Sequence, residues 1–180
     1  MAVESNVLHV LMIQTGGTID KDYPRSIGGY AFEINPDAPP AACAVLERGR
    51  ATNRNMKIRY ETACLKDSQD ITDIERQKIA QICNAAPEEK ILITHGTDSL
   101  LETGAFLDKR FGATKRIVLT GSMVPETFKR TDADFAIGMA WGALTIDDEP
   151  GTYVAVDGTV GRLETVGRNT SSGRFHRKKS

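Results

Sequence analysis

The chain alternates between short apolar runs and longer stretches in which apolar residues recur at helical spacing. The compact apolar runs predict strands at residues 7–14, 56–63, 90–94, 115–120 and 151–156. The helical spacing predicts helices at residues 38–48, 72–82, 99–111 and 132–144. Strands that alternate with helices in this way are typical of an α/β fold, with a mostly parallel open sheet flanked by helices.

Local signals refine this picture at three places. The polar segment 19–35 contains Pro24 and Gly28-Gly29, which predicts a long loop with a short hairpin. The sequence Thr72-Asp-Ile-Glu75 fits a capping box at the start of a helix. Residues 171–180 are basic and polar, so we expect one folded domain over residues 1–170 followed by a solvated, disordered tail.

Composition excludes several classes of protein. A length of 180 residues with 40% hydrophobic residues suits one globular domain, and a net charge of −1 gives no basic character for binding nucleic acid. No apolar run approaches the roughly 20 residues that span a membrane, and the N-terminus lacks the basic region of a secretory signal. The scattered cysteines Cys43, Cys64 and Cys83 are typical of free thiols in a reducing cytosol, which predicts a cytoplasmic protein.

Three predicted strands end in small and hydroxyl residues. They run into Thr15-Gly-Gly-Thr18, His95-Gly-Thr-Asp-Ser99 and Gly121-Ser-Met123. Ligands of open parallel sheets bind at the carboxyl ends of the strands, so we expect these three loops to form one small pocket.

Thr18 itself is open to three interpretations at this point. It could end a tight turn, line a phosphate cradle or act as a nucleophile, although neither GxGxxG nor GxxxxGK[ST] occurs. A threonine hydroxyl needs an activating group to attack a substrate. Thr97 and Asp98 would either cap a helix or, through the carboxylate, hold the ammonium group of an amino acid. His95 is more typical of a structural histidine than of a base.

Five segments along the chain share their order and spacing with one known set of motifs. They are Ile13-Gln-Thr-Gly-Gly-Thr-Ile19, Asp67-Ser-Gln-Asp70, Ile93-Thr-His-Gly-Thr-Asp-Ser-Leu100, Gly121-Ser-Met-Val-Pro125 and Asp132-Ala-Asp-Phe135. Over residues 7 to about 170 the chain thereby resembles the bacterial-type L-asparaginase/glutaminase family. The resemblance implies the flavodoxin-like fold of that family's N-terminal domain, with residues 1–170 as a catalytic domain.

The resemblance also implies an activity and a site. The activity is deamidation of L-asparagine to L-aspartate and ammonia, with weak glutaminase activity and without a metal or cofactor. Thr18 would be the nucleophile, and Thr97 and Asp98 would belong to a threonine–aspartate–lysine relay; which threonine attacks first stays open. Ser68 and Asp98 would hold the substrate's α-carboxylate and α-amine, and Thr97 would donate to the developing oxyanion. The other implied substrate-binding residues are Gly17, Asp67, Gly96 and Ser122.

Two assignments within the resemblance need a choice between residues. A tyrosine should assist Thr18, and the shorter spacing favours Tyr23 over Tyr30. The relay lysine should follow Asp157-Gly-Thr-Val160, and counting from there puts Arg168 in its place. Arginine keeps the positive charge but does not give up its proton, so the relay would be impaired if its lysine must be neutral.

The chain also differs from the family in length. The usual family member has a second, smaller C-terminal domain and is nearly twice as long, so this chain resembles the short-chain form. We expect an open pocket and a homo-oligomer that compensates for it. Two functions stay open: an asparagine amidohydrolase, or a catalytically weak amino-acid-binding sensor. An amidotransferase subunit that acts on a larger amide such as aminoacyl-tRNA is less favoured, because the chain is not basic.

Overall fold

The computed structural model describes residues 7–26, 28–29, 31–51 and 56–179. In chain order its strands and helices are β1 (Leu8–Gly16), β2 (Lys21–Asp22), β3 (Glu33–Ile34), α1 (Ala41–Arg48), β4 (Met56–Lys66), α2 (Asp73–Ala85), β5 (Lys90–Thr94), α3 (Leu100–Phe111), β6 (Arg116–Thr120), α4 (Ala133–Thr145), β7 (Gly151–Val156), β8 (Thr159–Arg162), β9 (Val166–Arg168) and β10 (Phe175–Arg177).

One six-stranded sheet organises the molecule, with the strand order β4–β1–β5–β6–β7–β8. The first five strands of this order are parallel to one another, and β8 is antiparallel to β7. The predicted α/β class, with a mostly parallel open sheet, is therefore confirmed. Because β1, β4, β5 and β6 all run in one direction, the loops that follow them lie at one edge of the sheet.

Both faces of the sheet are covered by helices. On one face Leu11 and Ile93 pack into a core with residues of α2 and α3, and on the other Met12 and Leu92 pack with residues of α1 and α4. Successive side chains of a strand point to opposite faces, so a strand buried on both faces needs a continuous apolar run. Every residue of β5, β6 and β7 is buried, which is why these runs were readable from the sequence.

The local predictions between the main strands are also confirmed. Glu75 accepts hydrogen bonds from the backbone N–H and the hydroxyl of Thr72, which completes the capping box of α2. The short hairpin expected within residues 19–35 is the antiparallel pair β2 and β3. None of the helices in the described ranges is long and apolar enough to cross a membrane.

The expected disordered tail is wrong for residues 175–177. These residues form β10, which pairs antiparallel with β9. Phe175 is only 5% exposed and belongs to the core, and its backbone N–H donates to the carboxylate of Asp157 at 3.0 Å. Arg174 also forms an ion pair with Asp157. The segment is mostly basic, so its sequence did not indicate that Phe175 is buried or that Asp157 contacts this segment. The fold extends past the predicted boundary at residue 170.

Candidate active site

Two glycines bring separate loops together at the carboxyl end of the sheet. Gly17 follows β1 with a φ of +84°, and a Cβ placed on it would lie 2.4 Å from the Cα of Gly96, which follows β5. A Cβ on Gly96 would lie 2.6 Å from the Cβ of Ser68, which follows β4. Side chains larger than hydrogen do not fit between these backbones. Thr18 and Thr97, each one residue beyond a glycine of this contact, therefore lie at the same edge.

A third glycine joins the β6 loop to this contact. A Cβ on Gly121 would lie 2.2 Å from the carbonyl oxygen of His95, and 3.6 Å from the Cγ2 of Thr97. The next residue, Ser122, is buried and uses its hydroxyl to donate to the carbonyl of Val124 at 2.6 Å. Ser122 is thus placed at the predicted edge with its hydroxyl already engaged, which leaves its backbone as the part that can face a ligand.

Thr18 is held in a single 3₁₀ turn, Thr18–Asp20, and is half-buried. The N–H of Gly17 donates to the carbonyl of Lys66 at 2.9 Å, which ties the turn to the end of β4. On the other side, Asp20 Oδ1 accepts the N–H of Ala41, the first residue of α1, at 2.9 Å. The turn is thereby fixed to two elements outside β1.

The carboxylate of Asp98 is the best-connected charged group of the site. Its Oδ2 accepts from the amide of Gln69 at 2.8 Å, and its Oδ1 accepts from Arg168 at 2.7 Å. Its backbone N–H donates to Ser68 Oγ at 3.1 Å. The Gln69 amide, and then Arg168, hold the pKa of Asp98 below its usual range. Asp98 is therefore an ionised, 40% exposed carboxylate, which suits a ligand cation.

Arg168, the residue reached by counting eight positions from Val160, lies beside Thr97 and Asp98. Besides the ion pair with Asp98, it donates to the carbonyl of Thr97 at 3.2 Å and to the carbonyl of Gly173 at 2.9 Å. The guanidinium group of Arg168, on β9, lies over the ring of Phe175 on β10, with the guanidinium carbon 5.4 Å from the ring centre. The location beside the two residues is observed, and the relay role stays a prediction.

Asp67 and Lys21 form a second ion pair of the site, with Nζ and Oδ2 2.5 Å apart. Lys21 lies on β2, three residues after Thr18, whereas Asp67 directly precedes Ser68. The hydrogen bond from Lys21 is the main reason that the pKa of Asp67 is lowered. The carboxylate predicted to bind substrate is thus already paired within the chain.

Tyr23 does not contact Thr18 through a hydrogen bond in the part of the chain that the structure describes. Its ring is 66% exposed and stacks on Phe128, with ring centres 5.0 Å apart, while Phe32 packs edge-on against both. The catalytic role predicted for Tyr23 therefore stays a prediction. The alternative, Tyr30, lies outside the described residues.

His95 has a structural position. It is fully buried, its Nδ1 lies 2.7 Å from the carbonyl of Gly96, and its Nε2 lies 2.9 Å from the hydroxyl of Thr103. Nδ1 therefore donates to the carbonyl and Nε2 accepts from the hydroxyl, as a neutral imidazole does. Burial lowers the pKa of His95 to about 4, so the ring connects the β5 loop to α3 without carrying charge.

Sequence reasoning missed Gln69 and Lys21 as residues of the site. Gln69 stands inside a recognised motif, and its polar type next to Ser68 was the available signal. Lys21 gave no comparable signal, because its partner Asp67 is 46 residues away and a lysine in a polar loop is usually solvated. In the described residues, no group of three or more His, Cys, Asp or Glu side chains is arranged to hold a metal ion.

Two cavities lie at different ends of the sheet. One of about 580 Å³ is at the opposite edge of the sheet, where His9, Glu88 and Lys90 line it. A smaller one of about 80 Å³ lies behind the Thr18 turn and is lined by Gln14, Asp20, Lys21 and other residues.

Comparison with known families shows which family this chain belongs to. The model of the asparaginase N-terminal domain matches residues 9–176. The chain belongs to the asparaginase family. The family match covers β1 through β10 almost completely, and so includes the four loops and Arg168.

This chain covers only part of the individual asparaginases that it resembles. Probable L-asparaginase 1 of Schizosaccharomyces pombe is 57% identical over 136 residues, which are 71% of this chain and 36% of that protein. A probable periplasmic L-asparaginase of Haemophilus influenzae is 31% identical over 134 residues, 73% of this chain and 37% of that one. The chain therefore spans a little over a third of the length of these curated relatives.

Solved asparaginase structures share the fold. The thermostable L-asparaginase of Thermococcus kodakarensis superposes with a TM-score of 0.77 at 26% identity, over 94% of this chain and 51% of that one. A probable cytoplasmic L-asparaginase of Campylobacter jejuni gives 0.72 at 22% identity, over 94% and 53%. Because the names of these asparaginases include both periplasmic and cytoplasmic proteins, the compartment of this chain stays a prediction from its cysteines.

Proposed function

We propose that this chain hydrolyses the side-chain amide of L-asparagine to L-aspartate and ammonia, with weaker activity on L-glutamine. The observation that carries the proposal is the contact of Gly17 with Gly96, which brings Thr18 and Thr97 to one edge beside the ionised Asp98. Membership of the asparaginase family supports the same reaction.

In this proposal Thr18 supplies the nucleophile. Its Oγ attacks the carbonyl carbon of the side-chain amide, and the hydroxyl proton passes to the leaving nitrogen, which departs as ammonia. Water then hydrolyses the resulting threonine ester and releases aspartate. Asp98 binds the α-ammonium group and Ser68 holds the α-carboxylate. The Thr97 hydroxyl donates to the developing oxyanion, and Gly17, Gly96 and Ser122 contribute backbone contacts. Each such donor contributes on the order of 3 kcal/mol to acyl-transfer catalysis.

Arg168 favours a second candidate function, an amino-acid-binding module with little turnover. A guanidinium stays protonated throughout the physiological range, so Arg168 can orient Asp98 but cannot accept the proton of a threonine. Its contacts to Asp98, Thr97 and Gly173 make it a fixed part of the site. The two functions share the binding residues and differ in the rate of the chemical step.

Ammonia release from L-asparagine and L-glutamine tests the proposal. We expect the wild type to release ammonia from asparagine, and Thr18→Ala to reduce kcat by about 10³-fold or more, because a covalent step loses its nucleophile. Calorimetric binding of L-aspartate to Thr18→Ala shows that the site is still formed. Wild-type turnover in Thr18→Ala would contradict the assignment of the nucleophile.

The variant Arg168→Lys separates the two functions. A lysine can give up its proton, so we expect Arg168→Lys to raise kcat several-fold if proton transfer limits the wild type. Aspartate binding without ammonia release in the wild type, together with turnover in Arg168→Lys, would favour the binding module. Arg174→Lys is the matched control, because Arg174 pairs with Asp157 rather than with the site.

A further inference from the structure

The small cavity behind the Thr18 turn is enclosed by segments from distant parts of the chain. Gln14 lies on β1, Asp20 lies on the turn that follows it, and the start of α1 forms another wall. The loop after β6 closes the cavity, because the N–H of Glu126 donates to the carbonyl of Ile19 at 3.1 Å. The volume of about 80 Å³ admits particles the size of water and is well below that of pockets for larger ligands.

Negative charge predominates in the walls of this cavity. Three carboxylates line it, those of Asp20, Asp22 and Glu126. Among the described residues that line it, Lys21 is the one cation, and its ammonium is held by Asp67 at 2.5 Å. Glu126 also pairs with Arg48 at 2.5 Å, outside the cavity lining. Neither of these two cations forms an ion pair with Asp20 in the described part of the chain.

Asp20 gives the cavity wall a buried oxygen that accepts no hydrogen bond from the described residues. Its Oδ1 accepts the N–H of Ala41 at 2.9 Å, whereas its Oδ2 has no partner there. Burial is the main reason that the pKa of Asp20 is raised to about 6, the charge of Glu126 raises it further, and the Ala41 N–H and the Gln14 amide act in the opposite direction. Asp20 is nevertheless ionised above pH 6, and a buried charge without a partner costs free energy.

We propose that this cavity binds a monovalent cation of the size of ammonium or potassium, with the carboxylates of Asp20 and Glu126 as its charged ligands. The inference goes beyond the proposed function and does not depend on it. Carboxylate oxygens are good acceptors for an ammonium group and good ligands for a hard cation. In the described residues, no three His, Cys, Asp or Glu side chains are grouped to hold a metal ion, so the donor set does not favour a divalent ion.

Urea unfolding in different chloride salts tests the site without any substrate. Because the cavity exists only in the folded chain, a bound cation stabilises that state in proportion to its concentration over its dissociation constant. At about pH 7.5 and about 100 mM salt, we expect the folded-to-unfolded ratio to be about tenfold higher in ammonium or potassium chloride than in choline chloride, as for a dissociation constant of about 10 mM. Choline is too large for the cavity but screens surface charges equally.

Two variants assign the effect to the cavity. Asp20→Asn can still accept the N–H of Ala41 but carries no charge, so we expect its stability in ammonium and choline chloride to differ less than twofold in the same ratio. Glu126→Gln removes the second carboxylate, and its response should be several-fold smaller than that of the wild type. Asp73→Asn is the matched control, because Asp73 is 86% exposed on α2, and it should keep the full tenfold response.

The salts also distinguish the two sources of such an ion. An equal response to ammonium and potassium supports a site filled by cellular potassium, and a response to ammonium alone supports a site for the ammonium that amide hydrolysis produces. If choline chloride stabilises the wild type as much as ammonium chloride, or if Asp20→Asn or Glu126→Gln responds like the wild type, the inference is wrong and the cavity holds only water. A wild type that releases no ammonia from asparagine would refute the proposed function and leave this comparison unchanged.

Discussion

At the scale of single residues, the site depends on glycines, which have no side chain. Gly17, Gly96 and Gly121 leave gaps that no other residue fits, and the loops after four strands close on one another through these gaps. The reactive groups follow as neighbours in sequence. The packing of the backbone, rather than any contact of the threonine hydroxyls, therefore determines where Thr18 and Thr97 lie.

Gly17→Ala tests this construction. The new methyl group would lie 2.4 Å from the backbone of Gly96, and alanine would also have to adopt a φ of +84°. We expect loss of most ammonia release and a destabilisation of about 2 kcal/mol or more, since overpacking and backbone strain add. Activity and urea unfolding measured on the same preparation give both quantities.

The control for this variant is Gly138→Ala. Nothing lies within 4 Å of a Cβ at Gly138, and the residue is in the middle of α4. Alanine is favoured over glycine in a helix by up to about 1 kcal/mol, so this variant should be active and equally or more stable. Full activity in Gly17→Ala would show that the two loops need not touch.

How far the sequence predicts this site depends on where the partners of each residue lie. Thr18, Thr97 and Asp98 were readable because each lies within four residues of the end of a strand, and parallel strands deliver their ends to one edge. Lys21 was not readable, because its ion-pair partner Asp67 lies in a different loop. The packing of the Tyr23 ring with Phe32 and Phe128 was likewise not readable, because Phe128 lies far from the other two residues in the chain, and the catalytic role of Tyr23 stays a prediction.

At the scale of elements, the strands of the main parallel sheet were predicted, and the short strands β8, β9 and β10 were not. The bounds of β5 and β7 follow from continuous apolar runs. The strands β8, β9 and β10 have three or four residues each and contain Gly161, Gly167 and several charged side chains. They form because β8 pairs with the neighbouring β7 and β9 pairs with β10, and because Asp157 and Phe175 anchor β10, which periodicity within one short segment does not reveal.

The junctions between elements also set the response of the fold to pH. Asp20 joins the Thr18 turn to α1, and one of its oxygens is buried without a hydrogen-bond partner among the described residues. Burial raises the pKa of Asp20 to about 6. Its contribution to stability is present below pH 3.8 and is lost as the pH rises through 6. His95 joins β5 to α3 and acts in the opposite sense, because its contribution is lost as the pH falls from 6.5 to 4. In the wild type the two effects oppose each other between pH 4 and 6.

The variant Asp20→Asn should separate the contributions of Asp20 and His95 to stability. An asparagine can still accept the N–H of Ala41 and carries no buried charge, so we expect it to stabilise the fold at pH 7 by up to about 2–3 kcal/mol, and to give no advantage near pH 4. The stability of the variant should then fall steeply from pH 6.5 to pH 4, as His95 alone requires. Urea unfolding at several pH values measures this, and a variant that is no more stable than the wild type at pH 7 would contradict it.

At the scale of the whole molecule, one helix is apolar on both sides. The inner face of α4 packs on the sheet through Ile137, Ala140 and Leu144. Its outer face carries Phe135, which is 63% exposed, and leads to Ile146, which is 77% exposed. A helix that is apolar on most of its surface is normally buried. We propose that a second copy of the chain covers this face in a homo-oligomer.

The matched pair Ile146→Glu and Ile74→Glu tests that proposal. Both isoleucines are more than three-quarters exposed, but Ile74 lies on α2 at the opposite face of the sheet. A glutamate buried at a symmetric interface is placed near its own copy, and the desolvation and repulsion of the two charges oppose association. We expect light scattering to show an oligomer for the wild type and for Ile74→Glu, and a monomer that is still folded for Ile146→Glu. A monomeric wild type, or equal dissociation of both variants, would mean that the outer face of α4 is not the contact between copies.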